Sequence, residues 1–324
     1  MRQSSTPRRQ LTVRQLAAVA AALLLAGCGT ATTAASGGGP EASGSPAPCG
    51  TPVPTAPGVP QPTKLAQGGV RITAAGPGCA EYEVTNPNAE PYDVTVVFSL
   101  RSAEGAALDN RSRTVTGLAP GATEKGRLDL SAPGTPGPAG LPRPADTRAS
   151  RAKPELLKVR SVPTAEAPNA GGPCPSSGLR LYADEGDAAM GLRVAGLHLR
   201  NCGTATVTLD GYPQVQPLDL DHQPLDGVRV LRGGAEIATG TGADDPPRRI
   251  DLRPGEGART TLVWRNTTEA GVGEPQNAPY VRVRATPDAA PVMVTPELDL
   301  GTTGRLGAGA WVREDTGGKP SPTP

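Results

Sequence analysis

Residues 93–100 read DVTVVFSL, and this stretch decides the fold. Val94, Val96, Phe98 and Leu100 fall on one side of an extended chain, because side chains alternate faces with period two. A helix would scatter these four around its axis. The same alternation recurs in AEYEVTN (80–86), where Ala80, Tyr82 and Val84 oppose Glu81, Glu83 and Thr85. In YVRVRAT (280–286), Val281, Val283 and Ala285 oppose Arg282 and Arg284. TATVTLDGYPQV (204–215) and ARTTLVW (258–264) also read as strands. After the first 27 residues no window of comparable strength has helical spacing. Gly and Pro together make 79 of 324 residues. Short strands punctuated by such turns predict an all-β chain built of sandwiches.

The strand blocks come twice, in the same order. YEVTNPNAEPYDVTVVFSL (82–100) parallels LHLRNCGTATVTLDGYPQV (197–215): strand, Asn, turn, strand. TGLAPGATEKGRLDL (116–130) parallels IDLRPGEGARTTLVW (250–264), with Pro120-Gly121 answering Pro254-Gly255. LLKVRSVP (156–163) parallels VRVRATP (281–287). Ordered self-similarity of this kind predicts two tandem immunoglobulin-like β-sandwich domains, 63–163 and 174–313, joined by a linker at 164–173. The Gly- and Pro-rich run Ser131–Ala149 becomes a long loop within the first.

LLLAGCGT (23–30) sets the address. Arg2, Arg8, Arg9 and Arg14 precede an uncharged run, Gln15–Gly27, too short to span a bilayer. Leu25-Ala26-Gly27-Cys28 resembles a bacterial lipobox. That resemblance implies a signal peptide at 1–27 and a diacylglycerol-modified Cys28 at the start of the mature chain, with acyl chains such as palmitate holding it to the membrane. The expected location is extracytoplasmic, on the outer face of the cell membrane. Arg8-Arg9 suits an ordinary basic leader or a twin-arginine one. Residues 28–62, rich in Gly, Ala, Ser, Thr and Pro, read as a disordered tether, and 314–324 as a disordered tail.

Beyond residue 27 the chain carries 28 basic and 31 acidic side chains, so nothing marks a nucleic-acid partner. Four cysteines remain: Cys49, Cys79, Cys174 and Cys202. Three pairings are open. Local pairing, Cys49–Cys79 and Cys174–Cys202, gives one bridge per domain and is the expected one. The first would pin the tether; the second would tie the first strand of its domain to the next. There is no CxxC, and the two histidines stand apart, which argues against zinc.

LHLRNCGTATVTLDGYPQVQPLD (197–219), IDLRPGEGARTTLVWRNT (250–267) and LGTTGRLGAGAW (300–311) resemble domain of unknown function 4232, over about Cys174–Trp311. Members of that family carry a second cysteine near the strand leading to Gly-Tyr-Pro; here Cys202 directly follows Asn201. The resemblance implies a sandwich on the cell surface and assigns no activity. The first half is similar, more loosely, to extracellular immunoglobulin-like accessory domains.

Asp219, Asp221 and His222 in LDLDHQPLDG (218–227) are the candidate binding residues, since carboxylates at i and i+2 beside a histidine can ligate a cation. The spacing lacks the order of a calcium loop, and a polar hairpin turn between strands is the preferred reading. His198 sits on a strand opposite Leu197 and Leu199. Tyr212, before Pro213, is expected to end a strand with its hydroxyl bonded to backbone. No nucleophile–base motif is present, and two histidines leave little for acid–base work. The expected function is a non-catalytic binding or accessory module, with no metal or cofactor. Its partners would be the membrane, through lipidated Cys28, and an envelope protein or glycan, and the chain is expected to be a monomer. The alternatives are a structural spacer in the envelope and an enzyme with a loop-built site. The loop Gly233–Arg248 is either functional or disordered.

Overall fold

A computed structural model describes residues 48–54, 62, 64–130 and 152–314. The leader with Cys28, most of the tether, the Ser131–Ala149 run and the tail beyond Glu314 lie outside the described residues.

The first domain holds β1 (Thr51–Pro52), β2 (Ala66–Gln67), β3 (Val70–Gly76), β4 (Cys79–Thr85), β5 (Tyr92–Arg101), β6 (Ala107–Leu118), β7 (Thr123–Asp129) and β8 (Lys153–Pro163). One sheet runs β1-β3-β4-β7, with β2 also on β3; the other runs β6-β5-β8. Alternation places Ile72, Tyr82 and Val84 of the first sheet and Val94, Val96, Phe98 and Leu100 of the second in one buried core. The Tyr82 and Phe98 rings meet across it at 5.0 Å.

A short 3₁₀ turn, Thr164–Glu166, leads to the second domain. This contains β9 (Leu179–Ala183), β10 (Asp187–Ala189), β11 (Leu192–Asn201), β12 (Val207–Asp210), β13 (Gln214–Leu218), β14 (Arg229–Arg232), β15 (Arg249–Leu252) and β16 (Gly257–Arg265). It closes with β17 (Gln276–Ala278), β18 (Tyr280–Arg284), β19 (Val292–Val294), β20 (Leu298–Gly301), β21 (Arg305–Ala308) and β22 (Val312–Arg313). Its core gathers Leu197, Leu199, Leu262, Val281, Val283 and Trp311, whose indole Nε1 donates to the Ala285 carbonyl at 3.0 Å.

The sequence repeat reappears as a repeat of strand pairings. β3 pairs β4 and β4 pairs β7 in the first domain; β9 pairs β11 and β11 pairs β16 in the second. On the opposite sheet, β5 pairs both β6 and β8. The single long β5 is replaced in the second domain by two short strands: β12 pairs β15, and β13 pairs β18. The break falls at Gly211-Tyr212-Pro213, where Gly211 has φ +73° and Pro213 has no N–H to give a ladder.

The shared Asn is a buried clamp in both domains. Asn86 Nδ2 donates to the Glu90 and Leu118 carbonyls, both at 2.8 Å, while its Oδ1 accepts the Asn88 N–H at 2.9 Å. Asn201 Nδ2 donates to the Ala205 and Leu252 carbonyls at 2.8 and 2.9 Å, and its Oδ1 accepts the Gly203 N–H at 3.0 Å. Their backbones match too. The carbonyls of Asn86 and Asn201 accept the N–H of Gly121 and Gly255, and both glycines have positive φ.

Two disulfides join Cys49 to Cys79 and Cys174 to Cys202, with Cα separations of 5.5 and 5.7 Å. They occupy opposite ends of the equivalent strands: Cys79 opens β4, whereas Cys202 follows β11. Cys49 is fully buried, its N–H donates to Glu81 Oε1 at 2.9 Å, and the chain runs on into β1 against β3. The stretch read as tether through residue 62 therefore contains a strand of the first sheet, and this bridge fastens the sandwich itself. Cys174 precedes β9 and is exposed, so the second bridge ties the entering chain, rather than the first strand, to the end of β11.

Candidate functional site

Asp219, Asp221 and His222 lie in the turn after β13, and each does something different. Asp219 builds the turn. Its Oδ1 accepts the N–H groups of Asp221 (2.9 Å) and Gln223 (2.8 Å), and its own N–H donates to the Gln223 carbonyl. Asp221 is exposed. His222, held at φ +60°, leaves the turn toward the first domain. Among the described residues, no three His, Cys, Asp or Glu side chains group as metal ligands would.

The first domain receives His222. Its Nε2 lies 3.0 Å from the Ser161 carbonyl on β8; a carbonyl only accepts, so Nε2 carries the proton. The ring stacks on Tyr92 of β5 (6.0 Å, 3°) and meets Tyr280 of β18 edge-on (4.5 Å, 87°). Burial pushes His222 below the ordinary histidine value of 6.5, and the Arg282 guanidinium adds to the shift. The Ser161 carbonyl, Glu166 and Asp219 oppose that shift without reversing it.

Around His222 the two sandwiches are joined by further contacts. The Arg160 guanidinium grips Glu297 with two bonds, Nε to Oε1 at 2.7 Å and Nη2 to Oε2 at 2.6 Å, and the Arg160 side chain is only 14% exposed. Lys158 Nζ lies 3.3 Å from Glu297, and Arg282 Nε donates to Glu166 at 2.8 Å. The Ser161 N–H donates to the Tyr280 hydroxyl at 3.0 Å. Tyr280 thus makes the tyrosine-to-backbone bond expected of Tyr212. Val162, Leu218, Tyr280 and Met293 form a small apolar cluster beneath these contacts, with Ala167 of the linker packed on it.

The joint opens on one side into a cleft of about 540 Å³. Arg160 contributes from the first domain; Asp219, Leu220, Asp221, Pro279, Glu297 and others contribute from the second. Leu220, at the turn tip, is 60% exposed, and Glu297 has φ +56°. Side chains held in that region without being glycine cost about 1–3 kcal/mol each, and two of them, His222 and Glu297, sit at this joint.

A second concavity of about 380 Å³ lies on the outer face of the β11–β16 sheet, bordered by Thr241 of the Gly233–Arg248 loop. That loop is folded down, with Ala243 fully buried and its carbonyl accepting the Gly234 N–H at 2.7 Å. His198 stands here between two carboxylates, Nδ1 2.6 Å from Glu314 and Nε2 3.2 Å from Asp184, with Tyr182 stacked on it at 4.9 Å. Asp184 Oδ1 is already taken by the N–H groups of Gly186 and Gly196. Both ring nitrogens are engaged, so His198 fastens the last described strand rather than serving as a free base. Sequence reasoning missed Arg160, Ser161, Tyr280 and Glu297. The Lys158/Arg160 alternation reads as a solvent face, and only the second domain's placement shows that it is covered.

Residues 174–314 match the family model of a domain of unknown function, DUF4232. No curated protein matches the chain. Among solved structures, a candidate beta-galactosidase from Bacteroides fragilis aligns at 13% identity and a TM-score of 0.20, over 68% of this chain and 33% of that one. The chain therefore spans about a third of that protein, and so low a score carries no argument about activity.

Proposed function

We propose that this chain, whose second domain is of the DUF4232 kind, is a lipid-anchored cell-surface protein that binds a ligand without catalysing a reaction. The anchor is Cys28, at the end of the Arg-rich leader. Two disulfides fit an oxidising, extracytoplasmic compartment. The observation that carries the binding reading is the cleft at the joint, which needs residues of both sandwiches and is lined by Asp221 and an exposed Leu220. Clefts at domain junctions are favoured ligand sites, because two rigid bodies can present convergent groups that neither holds alone. The partner would be an envelope protein or glycan met by a monomer at the membrane's outer face.

Affinity capture tests this. Protein lacking residues 1–27, with Cys28→Ser to keep it in solution, is compared with the same protein carrying Leu220→Asp and Asp221→Arg in capture from envelope extract. The reading expects a species retained by the first and lost by the second. Equal capture by both removes the cleft, and no specific capture by either favours the spacer. A hydrolytic activity that co-purifies and disappears with a single Asp or His substitution would overturn the non-catalytic reading.

A further inference from the structure

We propose that the joint between the two sandwiches is a pH-responsive closure, in which protonation of His222 on acidification releases the first domain from the second. The proposal rests on the cleft reading only for its consequence, since Arg160 and Glu297 line the cleft from opposite domains and separating them would dismantle the ligand site.

Among the described residues, His222 is the one that both crosses the joint and titrates in a range ordinarily close to neutral. It comes from the Asp219 turn of the second domain and ends on β8 of the first. The groups that face it are known from every side. Tyr92 covers one ring face from β5, and Tyr280 approaches edge-on from β18. The Ser161 carbonyl on β8 accepts the hydrogen bond from Nε2–H. Arg282 on β18, Glu166 in the linker and Asp219 in its own turn are the nearby charges. Arg160 lies 5.8 Å above the Tyr280 ring. A second proton must go to Nδ1, adding a positive charge to a half-buried ring beside Arg282, a cost that Glu166 and Asp219 offset only in part.

The closed joint therefore prefers the neutral ring. The group's closed-state value lies below its free value of 6.5, so the open state binds more protons. The stabilisation is fully present above pH 6.5 and is lost as pH falls through the depressed value. The apolar part of the joint gives little reserve, because its cluster is four buried side chains and only Val162 of them belongs to the first domain.

The Ser161 amide reads the joint directly, as its N–H is bonded to Tyr280 across the boundary. Hydrogen exchange of the full chain from residue 28, with Cys28→Ser, is followed by NMR at pH 7.5 and 5.0 and corrected for intrinsic rates. The Asn86 and Asn201 amides, which bond within their own domains, serve as controls. The expected result is loss of Ser161 protection at pH 5.0 with both controls retained. His222→Gln, which can still donate to the Ser161 carbonyl but does not titrate, should keep Ser161 protected at both values. Unchanged Ser161 protection in the native protein overturns the proposal. So does an equal loss in His222→Gln, or a loss of all three amides together, which is unfolding. Should the variant fail its own controls at pH 7.5, the radius of gyration of the native protein decides: growth on acidification with controls intact supports opening, and constancy refutes it. No ligand enters these measurements, so their failure leaves the capture experiment untouched.

Discussion

Asn201→Ala tests the clamp that orders the second sandwich. The substitution deletes two bonds donated by Nδ2, to Ala205 and Leu252, and one accepted by Oδ1 from Gly203. The three losses are not equal. Ala205 is exposed and Gly203 half-buried, so water can replace those partners at about 0.5–1 kcal/mol each. The Leu252 carbonyl is buried and would lose this bond where water cannot replace it, at about 1–3 kcal/mol. The total is about 3 kcal/mol, a fall of about 6–12 °C in the melting temperature for a domain of this size. Asn201→Asp should be worse although it keeps the volume, since a carboxylate would face two carbonyls in a buried site. Asn86→Ala should cost about the same as Asn201→Ala, because its own bond to the Leu118 carbonyl is likewise buried. Urea and thermal melts read all three. A loss under about 1 kcal/mol for Asn201→Ala, or an Asp variant as stable as the native protein, would refute the claim that these side chains hold the turn.

Non-reducing peptide mapping should return only Cys49–Cys79 and Cys174–Cys202. Opening the second by Cys174→Ser with Cys202→Ser should cost about 3.5 kcal/mol, the chain-entropy value for a loop of about 30 residues. Opening the first should cost no less, because Cys49 is buried and leads into β1. In a Gram-positive host, Cys28→Ala should move the protein from the membrane fraction to the medium and remove the lipid mass; unchanged fractionation would mean that Cys28 is not the anchor.

The fold was legible because strands with one buried face must alternate. Val94, Val96, Phe98 and Leu100 announce the core face of β5, and the matched Asn and Pro-Gly blocks announce that the second domain repeats the pairings of the first. The added strands β14, β17 and β19–β22 were less legible. They are two to four residues long, too short to show a period, and β14 pairs β21 in parallel, which local sequence does not encode. The start of the first domain was misplaced for a related reason: a two-residue strand in a Pro-rich stretch has no period to detect, and Cys49 alone signals that the chain is already fastened.

The site was less legible than the fold, and the cause is chemical. A polar strand face looks the same in sequence whether it meets water or a second domain, because Arg160 satisfies a carboxylate as well as it satisfies solvent. Ser161, Glu297 and Tyr280 carry no pattern of their own. The LDLDHQPLDG stretch did stand out, as a polar hairpin turn whose aspartates and histidine could also hold a cation. Asp219 is spent on the turn, as a polar hairpin requires, and what His222 binds is the Ser161 carbonyl of the same chain. An intramolecular partner changes what the residue can control. A histidine on an exposed loop would set the charge of one surface, whereas one wedged between Tyr92 and Tyr280 sets whether two domains stay together. Any ligand that needs Arg160 and Asp221 at once is then coupled to that equilibrium, and by linkage its binding must in turn oppose the protonation of His222.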